Sequence, residues 1–138
     1  MKNIILVLVV LLLPGCATVY KQAGVSSLPS SEVAVVDVAP CEIGDSCIFF
    51  QEIDGKWRGV GSITHYELLP GTRVLKVVFV APGLRGNGGI LVKFNARPGG
   101  HYFVRGNVDE ARRSWSPEII DAQTGKVVSE KVAVKAVY

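Results

Sequence analysis

Few residues in this chain are equipped for catalysis or for holding a metal. There are two histidines, His65 and His101, and three cysteines in 138 residues. Zinc asks for four ligands, and the close pair Cys41 and Cys47 is not in C-x-x-C spacing, so no metal and no cofactor is expected. No G-x-S-x-G occurs, which removes the elbow that would present a serine to a histidine held by a carboxylate. The stretch "GLRGNGG" lacks G-x-x-x-x-G-K-[ST] and does not lie between a strand and a helix, so it does not read as a phosphate cradle. Charge of one sign is scarce as well. The formal net charge is +3, too small to point to nucleic acid or to a strongly anionic surface. Behind the first residues, no apolar 3.6-residue period is long enough for a helix. The apolar run at residues 4–13 is ten residues long; as a helix it spans ~15 Å against the ~30 Å of a bilayer core, so it is not a membrane span.

What is there begins with "MKNIILVLVVLLLPGCATVY". Lys2 gives a positive end, the apolar run follows, and Pro14-Gly15 breaks any helix just before Cys16, the layout of an export signal. An ordinary cleavage site wants two spaced small residues, and of Leu13 and Gly15 only the second is small. "LPGC" resembles the lipobox of bacterial lipoproteins, with Leu13, Gly15 and Cys16 matching and Pro14 departing from the usual small residue. The resemblance implies cleavage before Cys16, a diacylglyceryl thioether on its sulfur and an amide-linked acyl chain on the new N-terminus. Several chains at ~0.8 kcal/mol per buried methylene make a lasting anchor where one is marginal. Ala17, standing where an aspartate would retain such proteins, implies sorting to the periplasmic face of the outer membrane. The alternative is an ordinary signal peptide with Cys16 incidental.

Residues 1–15 are thus expected to be a lipoprotein signal peptide, residues 16–32 the lipidated N-terminus and a tether, and residues 33–138 one domain with its own core. Without Lys2 the formal charge falls to +2. In "APCEIGDSCIFF" the pair Cys41 and Cys47 reads, in an oxidising compartment, as a disulfide. Closing so short a loop stabilises by ~2.4 kcal/mol on the chain-entropy model. "ATVYKQAGVSSLPSSE" holds four serines, a glycine and a proline without a sustained period, which reads as a flexible tether with a reach of ~20–24 Å. Val19, Tyr20 and Val25 are not linker residues, and an edge strand is the other reading of this stretch.

From Val33 the chain reads as strands: "VAVVDV", then "CIFFQEI" running into the hairpin signal Asp54-Gly55, then "SITHYEL", "TRVLKVVFV", "ILVKFNA", "HYFVRGNV", "SWSPEII" and "KVVSEKVAVKAV". The expected fold is all-β, an antiparallel sandwich of about seven or eight short strands. Alternation places Ile90, Val92, Phe94 and Ala96 inward, with Tyr102 and Val104 and with Leu75, Val77 and Phe79. "IDGKW", "YELLPGTRVLKVVF", "VKFNARPGGHYFV" and "SWSPEIIDAQTGKVV" follow in an order that resembles small envelope lipoproteins with PEGA-like or transthyretin-like sandwich domains. Gly55 and Gly71 permit the turns, Pro70 presets one, and Tyr102 fills the space between sheets. That family brings no catalytic residues to this chain.

Candidate contact residues are Trp57 on the Asp54-Gly55 hairpin, Arg85 and Asn87 in the glycine-rich loop, and Arg112 and Arg113 in "DEARRSW". Asp109 and Glu110 neutralise the last two locally, and a solvated turn with Trp115 packed inside is the plainer reading. Alternation puts His65 and His101 on the polar side of their strands. Two functional classes follow. The first is a lipid-anchored, non-catalytic envelope protein with a membrane contact through Cys16 and a protein or glycan partner. The second is a periplasmic enzyme acting on cell-wall glycan, or an inhibitor of one, which requires Glu52, Glu67, His65 or His101 to converge in one concavity.

Overall fold

The computed structural model describes residues 18–41, 46–81, 89–109, 111, 112 and 114–133. Strands β1 (Val19–Lys21), β2 (Ala34–Asp37), β3 (Cys47–Ile53), β4 (Lys56–Trp57), β5 (His65–Leu68), β6 (Gly71–Val80), β7 (Ile90–Ala96), β8 (His101–Asp109), β9 (Ser114–Asp121) and β10 (Ser129–Lys131) form two five-stranded sheets. Sheet A runs β1-β5-β2-β8-β9 and sheet B runs β10-β7-β6-β3-β4. The fold is the expected all-β sandwich. Sheet A, however, is mixed rather than antiparallel: β1 pairs with β5, and β2 with β8, in parallel. No helix among the described residues is long and apolar enough to cross a membrane.

Local chemistry explains most of the strands. Ile53 faces Lys56 across the two-residue turn Asp54-Gly55, where φ is 51° and 78°. Both positive values belong to a type I′ turn, whose twist matches the strands it joins, and the Asp-Gly pair tolerates them. Most of the inward sets read from alternation are the core: Leu75, Val77, Val92, Phe94, Ala96 and Tyr102 are buried, against Phe50, Ile53, Tyr66, Leu68 and Ile119, while Phe79, Ile90 and Val104 are half-buried. Tyr102 packs edge-on against Phe94 with centroids 5.0 Å apart, bridging the sheets. Cys41 and Cys47 form a disulfide, Cα atoms 5.3 Å apart, and so tie the segment after β2 to the start of β3. The last expected strand is shorter than its sequence promised. Val127 pairs with Ile120 in sheet A, while Ser129–Lys131 pairs with β7 in sheet B, so the segment crosses between sheets instead of running along one.

The described part of the tether is folded. The Thr18 carbonyl accepts from the Thr64 and His65 amides at 3.1 and 3.3 Å, β1 extends sheet A at its edge, and Val25 is buried. This edge strand replaces the flexible reading of residues 18–32. Its lock is Asp54: the carboxylate accepts from Gln22 Nε2 at 2.7 Å, Arg73 Nη1 at 2.7 Å and the Val74 amide at 2.8 Å, while Gln22 Oε1 accepts from the Leu69 amide at 2.9 Å. Asp54→Ala removes charge-assisted bonds and should lower stability by about 2 kcal/mol in urea denaturation. Hydrogen exchange should speed up at Gln22 and Leu69 in the same variant. Asp54→Asn, which keeps the tolerance for positive φ, should lose less.

Candidate functional site

Strand pairing assembles one polar cluster on the outer face of sheet A. Asp37 of β2 faces His65 of β5 directly, and Val35 stands between Glu67 of β5 and His101 of β8. Since side chains alternate across a strand, Asp37, His65, Glu67 and His101 all point outward, with His101 diagonal to Asp37. His65 Nδ1 lies 2.7 Å from Asp37 Oδ1 and His101 Nε2 lies 2.5 Å from Asp37 Oδ2. An ionised carboxylate only accepts, so each of these ring nitrogens carries the hydrogen and donates. His65 Nε2 faces Glu67 Oε1 at 3.8 Å, and Lys21 Nζ of β1 sits 3.7 Å from Glu67 Oε2. One carboxylate therefore organises residues from three strands.

Burial pushes the Asp37 carboxyl up, but the hydrogen bonds and charge of His101 and His65 outweigh it and hold the group below its ordinary value. A carboxylate with a depressed folded pKa contributes stability above its unfolded pKa, ~3.9, and loses it as pH falls through the folded value. The titratable groups facing it are His65, His101, Glu67 and Lys21. Asp37 is 39% exposed, so solvent screening limits the contribution to roughly 0.5–1 kcal/mol. Asp37→Asn should therefore be less stable than the natural protein at pH 6, and the gap should close as acid titration passes below ~4. Thermal unfolding of both proteins between pH 6 and 2.5 reads this directly.

Beside the cluster a shallow groove of about 400 Å³ runs along the same face, lined by Lys21, Val25, Leu28, Val33, Val35 and Glu67. It exists because residues 22–33 fold back over the sheet instead of trailing away. Glu52 is not part of this face: it lies in sheet B with Lys76 at 3.7 Å. Glu67, His65 and His101 thus come together and Glu52 does not. Among the described residues, no set of three or more His, Cys, Asp or Glu is disposed to hold a metal ion; both histidines aim at opposite oxygens of Asp37 rather than at a shared point.

The remaining expected contacts lie elsewhere. Trp57 is 66% exposed on the short edge strand β4, so it is a surface residue and not a lid on the core. Its neighbour Arg58 folds back, with its guanidinium 5.5 Å from the Phe49 ring centroid and Nη1 donating to the Gly61 carbonyl at 2.7 Å. At the β8–β9 turn the Arg112 amide donates to Asp109 Oδ1 at 3.1 Å and Arg112 Nε lies 3.6 Å from Asp109 Oδ2. Trp115 packs on Phe79, centroids 5.3 Å apart, in keeping with the plainer reading. Asn107, Asp109, Arg112, Trp115 and Lys131 border an open groove of about 640 Å³. Cys16, Arg85, Asn87, Glu110 and Arg113 lie outside the described residues.

No protein-family model, curated protein or solved structure matches the chain. The functional reading rests on its own residues. Asp37, which binds both histidines, was not singled out in the sequence. Its signal was a lone charge inside the β-branched run "VAVVDV", with the same outward parity as Val35.

Proposed function

We propose that the chain is a bacterial envelope lipoprotein, acylated on Cys16 and held at the periplasmic face of the outer membrane, whose β-sandwich binds or scaffolds a partner without turning over a substrate. The observation that carries this reading is the division of the cysteines. Cys41 and Cys47 are joined to each other, as export to an oxidising compartment favours. Cys16 stands two positions before Thr18, whose carbonyl is already bonded to β5. The third cysteine thus falls just ahead of the folded body, which is where an anchor belongs. The kinship with PEGA-like or transthyretin-like lipoprotein domains is part of the same proposal. It is supported by positive φ at Gly55 and Gly71 and by Tyr102 packed between the sheets.

The partner-binding face is proposed to be the outer side of sheet A, where the Asp37 cluster, the adjoining groove and the exposed Phe103 lie together. The envelope partner is a protein or a glycan. The experiment is metabolic labelling of expressing cells with an alkyne fatty acid, followed by cross-linking in the envelope. Label should enter the natural protein and not Cys16→Ser, and a cross-linked partner should be lost in Phe103→Ala. The cell-wall enzyme or inhibitor reading draws on the same Asp37-held histidines. It requires glycan turnover, or inhibition of it, that His101→Ala abolishes.

A further inference from the structure

If residues 16–32 were a free tether, acylation would fix where the domain is but not how it points. The fold removes that freedom. Thr18 and the strand behind it are bonded along β5, and Gln22 is clamped by Asp54 and the Leu69 amide. From Cys16 to Thr18 there are two peptide units, at most ~7 Å of chain. An anchor on Cys16 therefore keeps Thr18, just ahead of β1, close to the membrane.

The direction in which the chain leaves β1 can be followed across sheet A. Val19 stands level with His65, His65 with Asp37, and Asp37 with Phe103. Moving from Val19 toward Cys16 corresponds to moving along β8 from Phe103 toward Asp109, which pairs with Ser114 across the β8–β9 turn. Asp109 is six residues beyond Phe103, ~20 Å along the strand. Cys16 is three residues beyond Val19, at most ~10 Å. The β8–β9 turn thus projects about 10 Å farther than the anchor's own backbone reaches. Sheet B ends there too, since Trp115 packs on Phe79 near the end of β6 and Ile48, near the start of β3, crowds Gly106. This end carries exposed Val80, opposite Cys47 at the start of β3, and the Arg112 side chain, 84% exposed and loosely held by Asp109.

We propose that the acylated chain stands end-on to the bilayer, with the β8–β9 turn at Asp109, Arg112 and Ser114 set against phospholipid headgroups. The opposite end, with the turns at residues 97–100 and 122–125, faces away. Arg112 meets lipid phosphate as a charge-assisted donor, and exposed Val80 lies against the headgroup layer beside it. The inference rests on acylation of Cys16 and adds a direction to it. It leaves the outer face of sheet A standing perpendicular to the membrane and open to a partner.

The test uses the lipidated full chain in phospholipid vesicles containing nitroxide-headgroup lipid, with a thiol-reactive fluorophore at Arg112→Cys or at Gln123→Cys, both in exposed turns. The label at position 112 should lose most of its emission and the label at 123 should keep it. Inserting ten Gly and Ser residues between Ala17 and Thr18, a reach of about 19 Å, should abolish the difference. Protein that floats with the vesicles but shows equal quenching at both positions overturns the end-on orientation alone. Protein that does not float, with an unmodified Cys16 thiol, overturns the acylation and the orientation together.

Discussion

On the proposed acylation, Cys16→Ser should move the protein from the membrane to the soluble fraction of the envelope. Each acyl chain contributes ~0.8 kcal/mol per buried methylene, and one chain alone gives only reversible binding. With the proposed chains on both the sulfur and the amine, the natural protein should stay with membranes through high salt and alkaline wash. The serine variant has neither, and the leader should persist uncleaved or be cut elsewhere. Near-complete loss from the pellet is expected in ultracentrifugation of washed envelopes. The sandwich itself should remain folded, because the buried hydrophobic core runs from Val25 to Ile120. Retention in the washed pellet of Cys16→Ser chains that have lost the leader would mean that the domain surface, and not the lipid, holds the protein there.

The second large effect lies at Tyr102. Its ring is 1% exposed, packs against Phe94, and sits in the strand that joins β2 to β9. Its hydroxyl accepts from the Arg97 amide at 2.9 Å and so fastens the turn into β8. Tyr102→Ala leaves a cavity and an orphaned amide, and should lower stability by about 3–5 kcal/mol. A single domain has about 5–15 kcal/mol in total, so the variant should unfold in little urea. Tyr102→Phe keeps the ring and loses only the acceptor, about 1 kcal/mol. The turn is built around this hydroxyl: a Cβ on Gly100 would meet it at 2.5 Å. Equal loss in the Phe and Ala variants would show that the hydroxyl, and not the ring, governs the site.

Features encoded within a few residues were legible before the fold. The Asp-Gly turn, the span of β3, the inward set on β7 and the disulfide each follow from local chemistry, and each is present. What escaped was long-range. The parallel pairs β1 with β5 and β2 with β8 join segments with no shared local signal. A strand of three residues, Val19–Lys21, is too short to display a period of two, so its serine-rich surroundings read as a linker. The last segment reads as one strand because its valines are β-branched, yet it divides its pairing between two sheets.

The cluster was half legible for the same reason. Alternation placed His65 and His101 outward, where they are, but only the pairing of β2 between β5 and β8 brings Asp37 to both. Trp57 was legible as a hairpin residue, and its exposure depended on β4 being a two-residue strand at the edge of sheet B, with no strand beyond it among the described residues.

The intact mass of the mature protein, extracted from envelopes in detergent, tests the central claim most directly. Acylation predicts a chain of residues 16–138 carrying a diacylglyceryl group on sulfur and an acyl group on its amine, with the Cys41–Cys47 bond intact. A free thiol at Cys16, or a mature chain beginning at another residue, contradicts it.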